Sequence, residues 1–254
     1  MSTKAKYESG ILREFDDTQK METVFANAAI LFAEDFVGAG HGAGFPASGS
    51  PVAGYPWVKK IVGAAPPTVA LVANGAGGQV ALTLLANSEK EDAALYWNDN
   101  LSMDMTKKAS FEIVATLSVL PNAAGVQAVM GFQSAWIDGP DNAGFYIGFG
   151  WLANGNLLIR SKDGVTTNAI AAAPIGGSAI VTDANPHVYR VDMSDVTDVG
   201  FYVDGNRVNA KGSITFAATG ANAVLQPYAS VYKPSGTGLA TLTVDKLDCW
   251  GNRS

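Results

Sequence analysis

Apolar and polar side chains alternate at every second position along much of this chain, and that period limits the fold more than any other feature. From Ser110 onward, Phe111, Ile113, Ala115 and Leu117 fall on one face of an extended segment, and Glu112, Val114 and Thr116 on the other. Phe145, Ile147 and Phe149 alternate with Tyr146 and Gly148. His187, Tyr189, Val191 and Met193 alternate with Val188, Arg190 and Asp192, and Val199, Phe201 and Val203 alternate with Gly200 and Tyr202. A period of two sets one face of a strand against a core. Many such strands separated by turn residues predict an all-β sandwich or barrel. No strong amphipathic helix lies between them, which argues against βαβ units.

Composition agrees. Of 254 residues, 28 are Gly and only 16% are charged, a balance that suits short strands and tight turns better than solvated helices. The net charge of −6, with Lys59-Lys60 and Lys107-Lys108 as isolated basic pairs, argues against a nucleic-acid partner. No window has the length of a membrane span without Gly, Pro or charge, so no membrane partner is expected. Residues 1–20 lack the apolar run of a signal peptide, and a single cysteine, Cys249, permits no intrachain disulfide. Both predict folding in a reducing cytoplasm, with Cys249 as a small buried hydrophobe beside Trp250.

Two regions are expected: an N-terminal arm over residues 1–29 and a β-domain over 30–254. Residues 2–15 carry Lys4, Lys6, Glu8, Arg13 and Glu14 with Tyr7, Ile11 and Leu12 between them, too little apolar content for a core but enough to dock elsewhere. Over 16–29, Met21, Val24, Phe25 and Ala28 have the spacing of one short helix, with Asp16 or Asp17 as a cap. A strand then begins at Ile30 and ends near Phe36. Residues 38–56, rich in Gly, Ala, Ser and Pro, form a long loop closed by Tyr55 and Trp57. Asn74-Gly75, between Val69, Leu71 and Val80, Leu82, reads as a hairpin turn.

The run His187-Val188-Tyr189-Arg190-Val191-Asp192, a short acidic turn, and Gly200-Phe201-Tyr202-Val203-Asp204-Gly205 resembles the concanavalin-like, laminin-G-like jelly roll. Gly144-Phe145-Tyr146-Ile147-Gly148-Phe149 and Leu157-Leu158-Ile159-Arg160 are similar to its central strands. Asp-Gly accepts the positive φ angles of a tight hairpin, and the aromatic strand before it fills the space between sheets. The resemblance covers roughly residues 30–250 and implies two antiparallel sheets. The polar arm leading into Phe32-Ala33-Glu34-Asp35-Phe36, the segment Ala94-Leu95-Tyr96-Trp97-Asn98-Asp99 and the terminal Leu247-Asp248-Cys249-Trp250 resemble virion structural proteins of tailed bacteriophages, particularly head decoration proteins. That resemblance implies a non-enzymatic protein on the capsid surface. The major capsid protein would be its partner, and self-association into a trimer or dimer would accompany it. The arm residues Lys4, Lys6, Tyr7, Ile11, Leu12, Arg13 and Phe15 would form the capsid interface. The alternative is a lectin-like carbohydrate-binding module, in which Trp57, Trp136 and Trp151 would stack on a glycan.

Signatures of catalysis are missing. Glycosidases of this fold resemble one another in a Glu-x-Asp-x-x-Glu strand, with two carboxyl groups about 5–5.5 Å apart for retention. Here Glu112 stands alone between Phe111 and Ile113 and reads as a solvent-facing strand residue. Asp192, Asp195 and Asp198 recur at threes, which is not the alternation of a calcium loop. His41 and His187 have no partner at zinc-ligand spacing. The Gly-rich loop around His41 lacks the Gly-Lys-Ser/Thr ending of a phosphate cradle, and there is no Gly-x-Ser-x-Gly elbow. No enzyme activity, metal or cofactor is expected.

Overall fold

A computed structural model describes residues 3–8, 11–16, 21–24, 30–37, 45–50, 56–75, 77–153, 156–174, 176–180 and 182–252. Nineteen strands lie among them, in three sheets whose strand pairings are all antiparallel. Sheet I contains β4 (Ile30–Glu34), β6 (Thr68–Leu71), β7 (Val80–Thr83), β10 (Ser110–Val119), β15 (His187–Asp192), β16 (Gly200–Val203), β17 (Asn206–Arg207) and β19 (Thr241–Gly251). Its order is β17-β16-β15-β10-β19-β7-β6, with β4 on the remaining length of β19. Sheet II contains β5 (Val58–Val62), β8 (Glu91–Tyr96), β9 (Met103–Asp104), β11 (Gln127–Gln133), β12 (Tyr146–Trp151), β13 (Leu157–Lys162), β14 (Thr167–Ala171) and β18 (Val224–Lys233). Its order is β14-β13-β12-β11-β18-β8-β5, with β9 against β18. This is the all-β sandwich that the alternation predicted, with the two antiparallel sheets that the resemblance implied.

The period of two explains the layers. Phe111, Ile113, Ala115 and Leu117 of β10 point inward and meet Met130 and Phe132 of β11 and Ile147 and Phe149 of β12 in one continuous core. Aromatic rings span the gap edge to face. Phe149 lies 5.4 Å from Tyr189 and 5.3 Å from Phe201, and Trp151 lies 5.3 Å from Tyr189. Each such pair contributes about 0.5–1.5 kcal/mol beyond its buried area. The aromatic strand ahead of Asp204-Gly205 thus fills the inter-sheet space, and both turn residues take positive φ, +48° and +76°.

A buried ion pair fixes the passage from sheet I to sheet II. Lys233, fully buried, donates to the Leu85 and Asn87 carbonyls at 2.5 and 2.6 Å and lies 3.5 Å from Glu91. Glu91 accepts from the Leu85 amide at 2.8 Å. The two residues are register partners on β18 and β8, so together they clamp the link from β7 to β8.

His187 stands at the start of β15, with Nδ1 2.7 Å from Asp204 and Nε2 3.0 Å from Asp183. Burial alone would lower its pKa, but the two carboxylates outweigh burial and raise it above 6.5. Its contribution to stability is therefore complete below pH 6.5 and is lost as pH rises through the folded value. The ring is a quarter exposed, so the effect is small, about 1 kcal/mol or less. In His187→Gln the difference in melting temperature from the native chain should be largest at acidic pH and shrink above neutrality.

The structure corrects three expectations. Within residues 16–29, Met21–Val24 is a strand, β3, paired to β2 (Ile11–Asp16), in place of a helix. The helical spacing there spans too few residues to outweigh the alternation of Met-Glu-Thr-Val, which pairs with a neighbouring strand. The hairpin of β6 and β7 forms, but Asn74-Gly75 is part of a longer connection closed by the Val72 amide on the Gln79 carbonyl at 2.8 Å. Glu112 is 4% exposed on the outer face of sheet I, opposite Arg190 and Asp248 on its two neighbouring strands, and does not face solvent.

Candidate functional site

The outward side chains of sheet II form the polar, aromatic face of the molecule. Register places Val58, Tyr96, Tyr228, Gly131, Gly148 and Arg160 in one row across six strands, and Lys60, Ala94, Ser230, Val129, Gly150 and Leu158 in the next. At the centre, Gly131 and Gly148 face each other with no side chain between the strands. A shallow trough results, lined by Val129, Gln133, Tyr146, Arg160 and Tyr228. Arg160 lies across Gly150 and sets its guanidinium 4.8 Å from the Tyr146 ring.

Residues 134–145, which connect β11 to β12, fold back over this face as a strap. Gln226, fully buried, organises its start: its amide oxygen accepts from the Trp97 and Asp99 amides, both at 3.1 Å, and its nitrogen donates to Asp99 and the Ser134 carbonyl. Asp99 then accepts from the Trp136 amide at 2.7 Å. The half-buried Trp136 ring packs on Val58, Ala94, Tyr96, Val129 and Tyr228, with the Lys60 ammonium 4.5 Å from its centroid. Farther along, Asp138 pairs with Lys90 at 2.5 Å, and Asp141 pairs with Arg160 and accepts from Gln127 at 2.6 Å.

Under and beside the strap, several buried polar atoms lack a hydrogen-bond partner of good geometry. They are both carboxylate oxygens of Asp92, the indole nitrogen of Trp136, one oxygen of Asp138, the Tyr228 hydroxyl, the Ser230 hydroxyl, the Gln133 amide nitrogen and the Gln127 amide oxygen. Several of them lie within reach of one another, Asp92 beside the Trp136 indole and Tyr228 beside Ser230 and Gln133, so the cluster forms a loosely paired polar network under the strap. Burial raises the Asp92 carboxyl to about 7, and the Asp138 charge adds to the shift. The nearby Trp136 indole and the Lys60 and Lys90 charges offset it only in part. Burial also pushes the Tyr228 hydroxyl well above its usual value, although Ser230 and Gln133 lie close by. The cluster therefore mixes hydroxyl, amide and indole groups with two carboxyls beside aromatic rings.

Asp92 yields a signed prediction. Its folded pKa lies above the unfolded value of 3.8, so it binds more protons in the native state. Its destabilising effect grows as pH rises from 3.8 toward 7 and is constant above. Asp92→Asn, which cannot ionise, should gain stability relative to the native chain across that window. Denaturant titrations at acidic and at neutral pH measure the gain; no difference between them would mean that Asp92 stays ionised.

The residues singled out from sequence are distributed unevenly. Trp57 is fully buried among Phe32, Phe36 and Trp97, and Trp151 is 1% exposed with its indole nitrogen 2.5 Å from Thr182, so neither offers a stacking face. Trp136 alone of the three lies on the polar face. Lys4, Lys6 and Tyr7 fall on β1 (Thr3–Glu8), and Ile11, Leu12, Arg13 and Phe15 on β2, with Lys4 opposite Phe15, Lys6 opposite Arg13 and Tyr7 opposite Leu12. His41 and Tyr55 lie outside the described residues. Asp192, Asp195 and Asp198 each serve local structure: Asp192 accepts from Ser194, Asp195 from Thr197, and Asp198 from Arg207 and the Gly212 amide. Among the described residues no three His, Cys, Asp or Glu are grouped to hold a metal.

Sequence comparison adds nothing: no protein-family model matches the chain and no curated protein is detectably related to it. Structural comparison shows the fold. A protein of unknown function from Shewanella oneidensis MR-1 superposes with a TM-score of 0.60 at 9% identity, covering 92% of this chain and 91% of that one. The Emp47p carbohydrate recognition domain gives 0.51 at 12% identity, covering 82% and 94%. A β-1,3-glucanase from Mycobacterium marinum gives 0.50 at 15% identity, covering 89% and 100%. The chain has the concanavalin-like jelly-roll fold. At these identities the likeness extends to the fold and not to the chemistry.

Proposed function

We propose that the protein is a non-catalytic virion structural module, a decoration protein that binds the major capsid protein on the outside of a tailed-bacteriophage head and stabilises the shell. The observation that supports this reading is the separate N-terminal sheet. β1, β2 and β3 pair only with one another, so β1 and β3 each keep an open edge among the described residues. Three strands of only six, six and four residues are at the lower limit of independent stability and gain from packing on a second surface. A capsid supplies that surface in many copies, and multivalency strengthens each weak contact. The capsid-facing residues would be Lys4, Lys6, Tyr7, Ile11, Leu12, Arg13 and Phe15. The test is co-sedimentation with undecorated heads of the full chain and of a chain starting at Ile30. The full chain should bind and the shortened one, still folded, should not; saturation of heads by the shortened chain would overturn the proposal.

A second reading, carbohydrate recognition, is favoured by the half-exposed Trp136 ring, which lines an open cleft with Ser134, Ile137, Phe145 and Asn222. An accessible aromatic ring beside polar groups at a cleft wall suits a hydroxyl-rich ligand. Hydrolysis is disfavoured because Asp138 is tied to Lys90 and Asp141 to Arg160, so neither is a free carboxylate to act with Asp92. A glycan array should show binding that Trp136→Ala weakens; an array at background level would remove this reading.

A further inference from the structure

We infer that two copies of this chain join edge to edge through β14, making one continuous sheet II across a two-fold axis at Ala169. Exposed strand edges are templates for pairing, and proteins usually protect them with charge, proline or cover. In sheets I and II most edges are protected. β5 carries Lys59 and Lys60 and is bridged by Ala47, β4 ends in Glu34-Asp35, β6 follows Pro66-Pro67, and β17 has two residues. β14 has none of these defences. From Val165 to Ala173 the chain holds no charge and no proline, Val165 is 82% exposed and Ile170 39%.

The hydrogen-bond phase makes this edge self-complementary. The Asp163 amide bonds to the Thr166 carbonyl and the Ala172 amide to the Leu157 carbonyl, so in the β13–β14 register it is Thr166, Asn168, Ile170 and Ala172 whose backbone turns toward β13. Thr167, Ala169 and Ala171 then turn their amides and carbonyls outward, with no strand beyond them among the described residues. Rotation about Ala169 sets Thr167 against Ala171 of the second copy, Ala169 against its own counterpart, and Asn168 against Ile170. Every outward amide meets a carbonyl, no like charges meet, and the small side chains at the axis let the strands close. A contact that repeats identically on both partners is the isologous form of a symmetric dimer. This inference does not depend on the capsid or carbohydrate readings.

The test uses the full chain. Residues directly opposite in a hydrogen-bonded antiparallel pair lie about 5.5 Å apart at Cα, within disulfide range. Ala169→Cys should therefore give a disulfide-linked dimer on mild oxidation, while Thr219→Cys, exposed but away from the edge, should not; native Cys249 is fully buried and gives no background. The native protein should show a concentration-dependent monomer–dimer equilibrium by sedimentation, and Ala169→Pro, folded by circular dichroism, should stay monomeric. Native chain that stays monomeric at all concentrations, or forms trimers, would overturn the inference. So would equal cross-linking of the two cysteine variants, or a dimer that survives Ala169→Pro.

Discussion

Replacing Lys233 by Met should destabilise the protein by about 3–5 kcal/mol, the usual cost of leaving one member of a buried ion pair uncompensated. Both Lys233 and Glu91 have fully buried side chains, so water cannot replace the lost partner. The change also leaves the Leu85 and Asn87 carbonyls without the ammonium that joins them. For a domain of this size the melting temperature should fall by roughly 6–20 °C. The double variant Lys233→Met, Glu91→Leu should recover a large part of the loss, because no buried charge remains. The comparison is a double-mutant cycle by thermal or urea unfolding. A single variant within about 1 kcal/mol of the native chain would mean that the pair is not the clamp described here.

The second large effect is expected at the centre of sheet II. A Cβ on Gly148 would meet the Met130 carbonyl and lie 2.8 Å from the Gly131 Cα, and a Cβ on Gly131 would meet the Ile147 carbonyl and the Gly148 Cα at 2.6 Å. These obstacles are backbone, so no rotamer change relieves them. Gly131 also has φ +147°, a conformation costly for a residue with a side chain. Gly148→Ala should therefore cost at least about 3 kcal/mol, at or above the top of the overpacking range. Gly148→Val should fail to fold or lose the pairing of β11 with β12. Gly150→Ala is the control, since its Cβ meets the flexible Arg160 side chain rather than backbone. It should cost clearly less while pulling Arg160 off Asp141. Equal losses in the two alanine variants would show that the close approach at Gly131–Gly148 is not what sets the cost.

How far the sequence carried these conclusions differs by element. The inward faces of β10, β12, β15 and β16 were legible because their alternation runs long enough to set a phase. Asp204-Gly205 was legible because few residue pairs tolerate two positive φ angles. Trp151 could have been placed as well: it continues the phase of Ile147 and Phe149 and so belongs to the core. Trp57 could not, since Trp-Val-Lys-Lys-Ile-Val alternates poorly. Glu112 was placed on the correct face but wrongly exposed, because what covers it comes from neighbouring strands that no local pattern reveals. The polar face of sheet II was missed for the same reason. Its one local sign was the alternation of Gln226, Tyr228, Ser230 and Tyr232 on β18, a polar row on a largely buried strand. Nothing local tells that residues 134–145 cross above Asp92, some forty residues earlier in the chain.

The measurement that bears most directly on the proposed role is an electron cryomicroscopy map of phage heads incubated with the full chain. The account predicts jelly-roll density outside the shell, joined to the capsid floor through the three-stranded sheet of residues 3–24. Heads bare of added density, or jelly rolls seated on the capsid with that sheet touching nothing, would contradict it.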